Sequence, residues 1–324
     1  MINESRVKSR REFIQMAGAA GLGLTLGLPA RAASLSCDDV LCRQIPSTGD
    51  ALPVIGVGTN RFGQAGVETV KQLLLEMIES GGRVIDTAAI YGDSEAVIGQ
   101  ALSDLKLHQK MFVATKFNAA GARFSGPRGA PRSGEISAAD SFERSLERLQ
   151  TDRVDLLFAH FVSSVEPTMP LMLDLKESGR TRYVGITSVQ RSQHAEVMRY
   201  MRDFPIDFLQ IDYSLENRDT ASDVLPLAVE KNIAVMVAVP FGGRRSSLFA
   251  KVRGKTVPDW AADFGAETWG QFFLKYVASH PAVTCVIPGT TDIEHMQDNL
   301  AAGRGNLPDE AQRQQMERFW DSLT

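Results

Sequence analysis

The sequence predicts an α/β fold, a (β/α)8 barrel of the TIM type with a short N-terminal hairpin. Three observations carry this expectation. Eight brief β-branched runs recur between residues 55 and 288, helical patterns lie between them, and the runs are apolar throughout, as parallel strands covered on both faces must be. The hairpin is read around 51–58, running into the first barrel strand at 55–59. The remaining strands are expected at 83–87, 111–116, 154–160, 183–188, 208–213, 233–240 and 283–288. Between them, 94–105 sets Val97, Ile98, Ala101, Leu102 and Leu105 on one helical face, and 137–149 does the same with Phe142, Leu146 and Leu149. Ser94 and Ser137 stand where N-caps belong.

A chain of 324 residues with 44% hydrophobic and 23% charged side chains has the balance of a soluble globular protein, which excludes the disordered and fibrous classes. Its 35 basic and 39 acidic residues include no Lys/Arg run that would track phosphates, so nucleic acid is not the expected partner and a small molecule is. Cys37, Cys42 and Cys285 are too few for a disulfide framework. Neither they nor the five histidines have metal-ligand spacing, so no metal is expected.

Residues 1–32 read as an address. Ser9-Arg10-Arg11 precedes a weakly apolar stretch from 16 to 28, and Ala30 and Ala32 offer small residues for cleavage, as in a twin-arginine export signal. The stretch is shorter than the roughly 20 residues that span a bilayer, so no stable membrane insertion is expected. The partner implied is the twin-arginine export machinery. The destination is the periplasm, reached from the cytoplasm, and 33–324 form a single barrel domain. Cys37 and Cys42 would then lie in a disulfide-permissive compartment, either bridged or as two free thiols. Cys285, inside an apolar strand, belongs to the core.

Polar residues appear where the strands stop: Asp86-Thr87, Thr115-Lys116, His160, Thr187-Ser188, Gln210, and Pro288-Gly289-Thr290-Thr291. All would meet at the carboxyl-terminal mouth, where barrels of this kind place their active sites. With nearby Tyr91 they offer a carboxylate, an ammonium, an imidazole and a phenol, which together form a proton-transfer set. The ammonium favours the phenolate and lowers the phenol's pKa, the carboxylate keeps the ammonium charged and aimed, and a neutral imidazole orients a carbonyl oxygen. An electron source is missing from that set, and a diffusible nicotinamide is the natural candidate.

From about Arg43 to Ala302 the chain resembles the aldo-keto reductases. Residues 84–102, with Asp86, Tyr91-Gly92 and Ser94-Glu95 in order, resemble the family's most diagnostic stretch. Ala114-Thr115-Lys116, 145–149 with 154–160, and 179–188 match later blocks. The resemblance implies reduction of an aldehyde or ketone to an alcohol by hydride transfer from NAD(P)H. Asp86, Tyr91, Lys116 and His160 would be the catalytic tetrad and Tyr91 the general acid. It also implies cofactor contacts at Gly58, Thr59, Asn60, Asp86, Thr187, Ser188, Gln210, Pro240, Phe241, Gly242, Pro288, Gly289, Thr290, Thr291, His295, Asp298 and Asn299. Three departures from the usual pattern stand out. Thr187-Ser188 stands for Ser-Asn, Val239 for a ring-stacking Tyr, and His295 for a cation that grips the adenosine phosphate. A histidine holds less charge at neutral pH than arginine, which weakens the grip on the phosphate and relaxes specificity: NADP(H) is still expected ahead of NAD(H), but only modestly, with use of both left open.

Two regions keep two readings each. The Gly- and Pro-rich stretch 117–137, with Arg123, Arg128 and Arg132, is expected to be either a functional lid or simply mobile. Trp260 and Phe264 either form a substrate wall over the mouth or join the core. A nicotinamide-binding sensor with negligible turnover is the alternative to an enzyme, and the tetrad favours the enzyme.

Overall fold

The structure is a computed structural model that describes residues 37, 39–117, 137–243 and 247–323. The expected signal at 1–32, and Arg123, Arg128 and Arg132 of the inserted stretch, lie outside the described residues. Two short strands, β1 (Cys42–Gln44) and β2 (Ala51–Pro53), pair antiparallel. Eight parallel strands follow: β3 (Val57–Gly58), β4 (Val84–Asp86), β5 (Phe112–Phe117), β6 (Val154–Ala159), β7 (Thr181–Ser188), β8 (Phe208–Asp212), β9 (Ala234–Ala238) and β10 (Val283–Val286). Each pairs with its sequence neighbour. Isolated parallel bridges from Ile55 to Val286 and from Gly58 to Gly289 bring the first strand against the last and close the barrel. A Cβ on Gly58 would lie 3.0 Å from the Ile287 carbonyl, so the close approach at this seam suits a residue without a side chain.

The helices are α1 (Phe62–Ala65), α2 (Val67–Glu79), α3 (Ser94–Asp104), α4 (Ala138–Leu149), α5 (Val165–Glu177), α6 (His194–Asp203), α7 (Val224–Glu230), α8 (Leu248–Lys251), α9 (Trp269–Ser279), α10 (Ile293–Ala301) and α11 (Glu310–Ser322). Strand alternation divides the core in two. Inward residues such as Val84, Phe112, Leu156, Phe158, Phe208, Met236 and Cys285 fill the barrel, while outward ones such as Ile85, Leu157, Leu209, Val235 and Val237 pack beneath the helices. The hairpin sends Ile45 and Leu52 into the barrel's interior cluster from the amino-terminal end, where the Tyr183 hydroxyl donates to Asp50 at 2.7 Å. No helix among the described residues is long and apolar enough to cross a membrane.

Several boundaries differ from the sequence reading. The hairpin spans 42–53 rather than 51–58, because Ala51–Pro53 pairs backwards with Cys42–Gln44 across a turn in which the Ile45 amide donates to the Asp50 carbonyl. Ser137 caps α4 as expected, accepting from the Asp140 amide. Ser94 does not cap α3. It is the first helical residue, and its hydroxyl accepts from the Gly63 amide instead. Cys37 and Cys42 are joined in a disulfide, and Cys285 is free and buried. Trp260 packs against Phe264, Phe272 and Phe319, so that aromatic group belongs to the core rather than to a wall over the mouth.

Glu95, 1% exposed, ties three elements. Its carboxylate accepts from Thr115 Oγ1 of β5 at 2.5 Å and from both Nε and an Nη of Arg148 of α4, at 2.8 and 2.6 Å. At the α3–α4 crossing, a Cβ on Gly99 would fall 2.1 Å from the Arg148 carbonyl, so the helices meet backbone to backbone. Removing the carboxylate strands a guanidinium and a buried hydroxyl. Glu95→Ala is therefore expected to cost about 3 kcal/mol in urea unfolding, and Glu95→Gln less. A loss below about 0.5 kcal/mol in Glu95→Ala, the range of an ordinary surface change, would contradict this role.

Candidate active site

Parallel pairing sets the floor of the site. Asp86, the last residue of β4, is in register with Ala114 of β5, and Lys116 lies two residues further along on the same face. Both are almost fully buried. The Lys116 ammonium donates to Asp86 Oδ1 at 2.7 Å, to Oδ2 at 2.6 Å and to the Thr87 carbonyl at 2.8 Å, which uses its three protons. From the side of β8, Gln210 Nε2 donates to Asp86 Oδ1 at 2.9 Å, and its Oε1 accepts from Thr187 Oγ1 of β7 at 3.1 Å. Four strands thus meet in one hydrogen-bonded chain.

Above this floor the turn after β4 presents Tyr91. The Ala89 amide donates to the Lys116 carbonyl and Tyr91 to Ala88, and the ring centre lies 5.3 Å from Lys116 Nζ. His160 follows directly on β6. Its ring meets Tyr91 edge to face at 5.9 Å and stacks on Phe161 at 4.7 Å and 10°. His160 Nδ1 is buried without a hydrogen-bond partner.

Burial is the largest influence on Asp86, Tyr91 and His160. Burial holds the Asp86 carboxyl above its ordinary value, and Lys116 and Gln210 offset only part of that rise. The Tyr91 phenol is also raised. Burial outweighs the lowering by the Lys116 charge, while Asp86 adds a further rise. The sequence reading had the ammonium lowering this phenol below its ordinary value, and the structure reverses that net direction. A protonated phenol is nonetheless the form a proton donor needs. Burial and the charge of Lys116 together depress His160 to about 3, so its imidazole is neutral at physiological pH.

A cavity of about 750 Å³ opens over this group, within the range of small-molecule sites. The expected residues Gly58, Thr59, Asn60, Asp86, Tyr91, His160, Thr187, Ser188, Gln210, Pro240, Phe241, Gly242, Gly289, Thr290, Thr291 and His295 line it. Lys116 lies beneath the lining. Pro288 faces the barrel seam, where its carbonyl accepts from the Gly58 amide. Asp298 is turned to Thr268 and Gln271, and Asn299 is buried in α10; neither lines the cavity. The sequence reading passed over Arg61, Phe161, Gln193 and Phe249, which do line it. Phe161 adjoins His160 and Arg61 adjoins Asn60, so sequence adjacency was an available signal for those two. Gln193 accepts from Ser188 Oγ at 2.7 Å, a contact with no local signature.

The cavity's lining offers a place for an anionic group. Besides the polar groups of the floor it includes Thr290–Asp292 and His295, at the start of α10, where a helix's positive end favours anions. Arg61 and His295 add cationic or protonatable groups, whereas the Asp292 carboxylate, occupied by the His295 amide, opposes an anion. No group of three or more metal-ligating side chains occurs among the described residues.

The chain matches the model of the Aldo/keto reductase family over residues 54–320. It is 28% identical over 269 residues to a methylglyoxal reductase of Escherichia coli, covering 80% of this chain and 88% of that one. An aldo-keto reductase from Bacillus halodurans in its holo form superposes with a TM-score of 0.68 at 21% identity, covering 86% of this chain and 96% of that one. An aldo/keto reductase from Klebsiella pneumoniae in complex with NADP and acetate gives 0.63 at 25% identity, covering 84% and 93%.

The depressed His160 is directly observable. Its ring signals in proton–nitrogen NMR are expected to stay unshifted from pH 5 to 8. A titration with a midpoint between about 6 and 7, the ordinary range, would overturn the neutral buried imidazole.

Proposed function

Because the chain belongs to the aldo/keto reductase family, we propose that it reduces an aldehyde or ketone to an alcohol with NADP(H), with Tyr91 as the general acid. The observation that carries this reading is the placement of Tyr91 and a neutral His160 at one cavity, over the buried Asp86–Lys116 pair. When bound, the reduced nicotinamide supplies the hydride. Residues that would hold it are Thr187, Ser188 and Gln210 at the floor, Gly58, Asn60 and Gly289 at the seam, and Thr290, Thr291 and His295 beside the start of α10. The Klebsiella neighbour's complex with NADP supports the phosphorylated cofactor.

The chain's own groups handle the proton. Tyr91 keeps its phenolic proton because burial disfavours the phenolate. As negative charge develops on the carbonyl oxygen, Tyr91 delivers that proton. The cation of Lys116 stabilises the phenolate left behind until solvent returns a proton. Asp86 keeps Lys116 charged in a buried position where an unpaired ammonium would be strongly disfavoured. His160, neutral, is suited to orient the carbonyl oxygen without competing as an acid. Phe161, Phe241 and Phe249 supply apolar wall beside it.

In Tyr91→Phe, kcat/KM for carbonyl reduction is expected to fall at least about 100-fold with NADPH affinity nearly unchanged. Turnover within about threefold of wild type would overturn Tyr91 as the acid.

We also propose that residues 1–32 direct twin-arginine export to the periplasm, leaving 33–324 as the functional domain. The disulfide between Cys37 and Cys42, just beyond the expected cleavage site, fits an oxidising destination. Replacing Arg10 and Arg11 together by lysine is expected to retain the protein in the cytoplasm by cell fractionation. Undiminished export of that variant would contradict the signal.

A further inference from the structure

His160 is held differently from the rest of the floor. Asp86, Lys116, Gln210 and Thr187 fix one another by hydrogen bonds. The Nδ1 of His160, the atom through which a neighbouring carbonyl or carboxylate commonly orients a histidine, is buried without a hydrogen-bond partner. The torsion that turns an imidazole about its Cβ–Cγ bond is broad and supplies little restraint of its own. A ring that is to meet a carbonyl oxygen at a fixed angle therefore needs another hold.

That hold is aromatic. Phe161 lays its ring along the imidazole at a centroid distance of 4.7 Å and an interplanar angle of 10°, and Tyr91 meets the imidazole at 5.9 Å and 84°. Neighbours in a regular strand point to opposite faces, so this stack of consecutive residues forms only because the chain leaves β6 after Ala159. Ser164, 2% exposed, fixes that exit. Its amide and its hydroxyl both donate to the Phe161 carbonyl, at 2.9 and 2.7 Å, and the hydroxyl also accepts from the Phe161 amide at 3.4 Å. Phe161 itself is half-buried and lines the cavity.

We propose that Phe161 is a positioning residue whose stacked ring holds the His160 imidazole in the plane from which it meets a carbonyl substrate. The inference rests on the reductase reading above for the reaction and gives Phe161 a task beyond that of apolar wall. Its loss is a loss of rate, because an imidazole free to turn no longer stands in place as negative charge develops on the oxygen.

Phe161→Leu keeps an apolar side chain without a flat face, and Phe161→Tyr keeps the face. The full chain, saturated with NADPH, is to be mixed with propanal or benzaldehyde and its single-turnover oxidation of NADPH followed by absorbance. Phe161→Leu is expected to slow this step at least about tenfold with both aldehydes, and Phe161→Tyr to stay within about threefold of wild type. The NADPH dissociation constant is expected to stay within about twofold in both variants. In a His160→Ala chain the same Phe161→Leu change is expected to cost less than about twofold further, because its effect passes through the imidazole. Phe161→Met, also without a flat face, is measured alongside and is expected to match Phe161→Leu, so the comparison stands if the leucine variant does not fold. A Phe161→Leu rate within about twofold of wild type with propanal, or a loss confined to benzaldehyde, would reduce Phe161 to a wall and overturn the role. A Phe161→Tyr as slow as Phe161→Leu, or a tenfold loss that persists in the His160→Ala chain, would overturn it as well. A wild type that oxidises NADPH with no aldehyde or ketone of a broad panel would overturn the reductase reading and this role together.

Discussion

The arrangement of the site depends on one buried ion pair. Asp86 and Lys116 are held on the same face of adjacent parallel strands, Lys116 two residues beyond the partner of Asp86, and each is sheltered from water almost completely. Neither charge would be tolerated there alone, and together they satisfy each other with the help of Gln210 and the Thr87 carbonyl. The pair places a fixed positive charge beneath Tyr91 and close enough to His160 to help suppress its protonation. One cation therefore acts in two directions. It eases the phenolate that follows proton delivery and prevents the neighbouring imidazole from becoming a competing acid. The barrel makes this possible by bringing strand ends from distant parts of the chain to one mouth while keeping water from the layer below.

The scaffold beneath the mouth shows the same economy. The hairpin fills the amino-terminal end with Ile45 and Leu52, and a close backbone seam at Gly58 and Gly289 closes the ring where regular pairing is sparse. Ser94 and Glu95, next to the turn that presents Tyr91, do structural work. Ser94 holds the Gly63 amide, and Glu95 clamps α3 to β5 and α4. A stretch that reads as diagnostic in sequence thus combines two chemical residues, Asp86 and Tyr91, with the residues that fix the loop between strand and helix.

The eight barrel strands were legible because apolar β-branched runs of that length, separated by amphipathic helices, admit few other folds. The hairpin was placed too late, since the run after Pro53 is apolar enough to look continuous with it, and only tertiary pairing shows that Ala51–Pro53 folds back. Strand-end residues pointed to the mouth, and the family resemblance assigned them roles. The direction of the Tyr91 shift was not legible, because the sequence names the neighbouring charge but not the burial that outweighs it. Phe249 lines the cavity while Trp260 and Phe264 pack in the core, a choice set by how the segment after β9 returns to the barrel rather than by aromatic content. Asp298, a polar residue one turn beyond His295, satisfies Thr268 and Gln271 of the neighbouring segment. Val239 has a positive φ although it is β-branched and precedes a proline, so nothing in its sequence neighbourhood announces it.

The central claim is that the charge on Lys116, maintained by Asp86, supports proton delivery by Tyr91. Asp86→Asn tests it most directly, because it preserves shape while removing the partner that keeps the ammonium charged. With folding verified by thermal melting and NADPH affinity by fluorescence, the account expects kcat/KM for carbonyl reduction to fall at least about 100-fold while the cofactor dissociation constant stays within about threefold of wild type. A folded Asp86→Asn enzyme that binds NADPH and turns over within about threefold of wild type would contradict it.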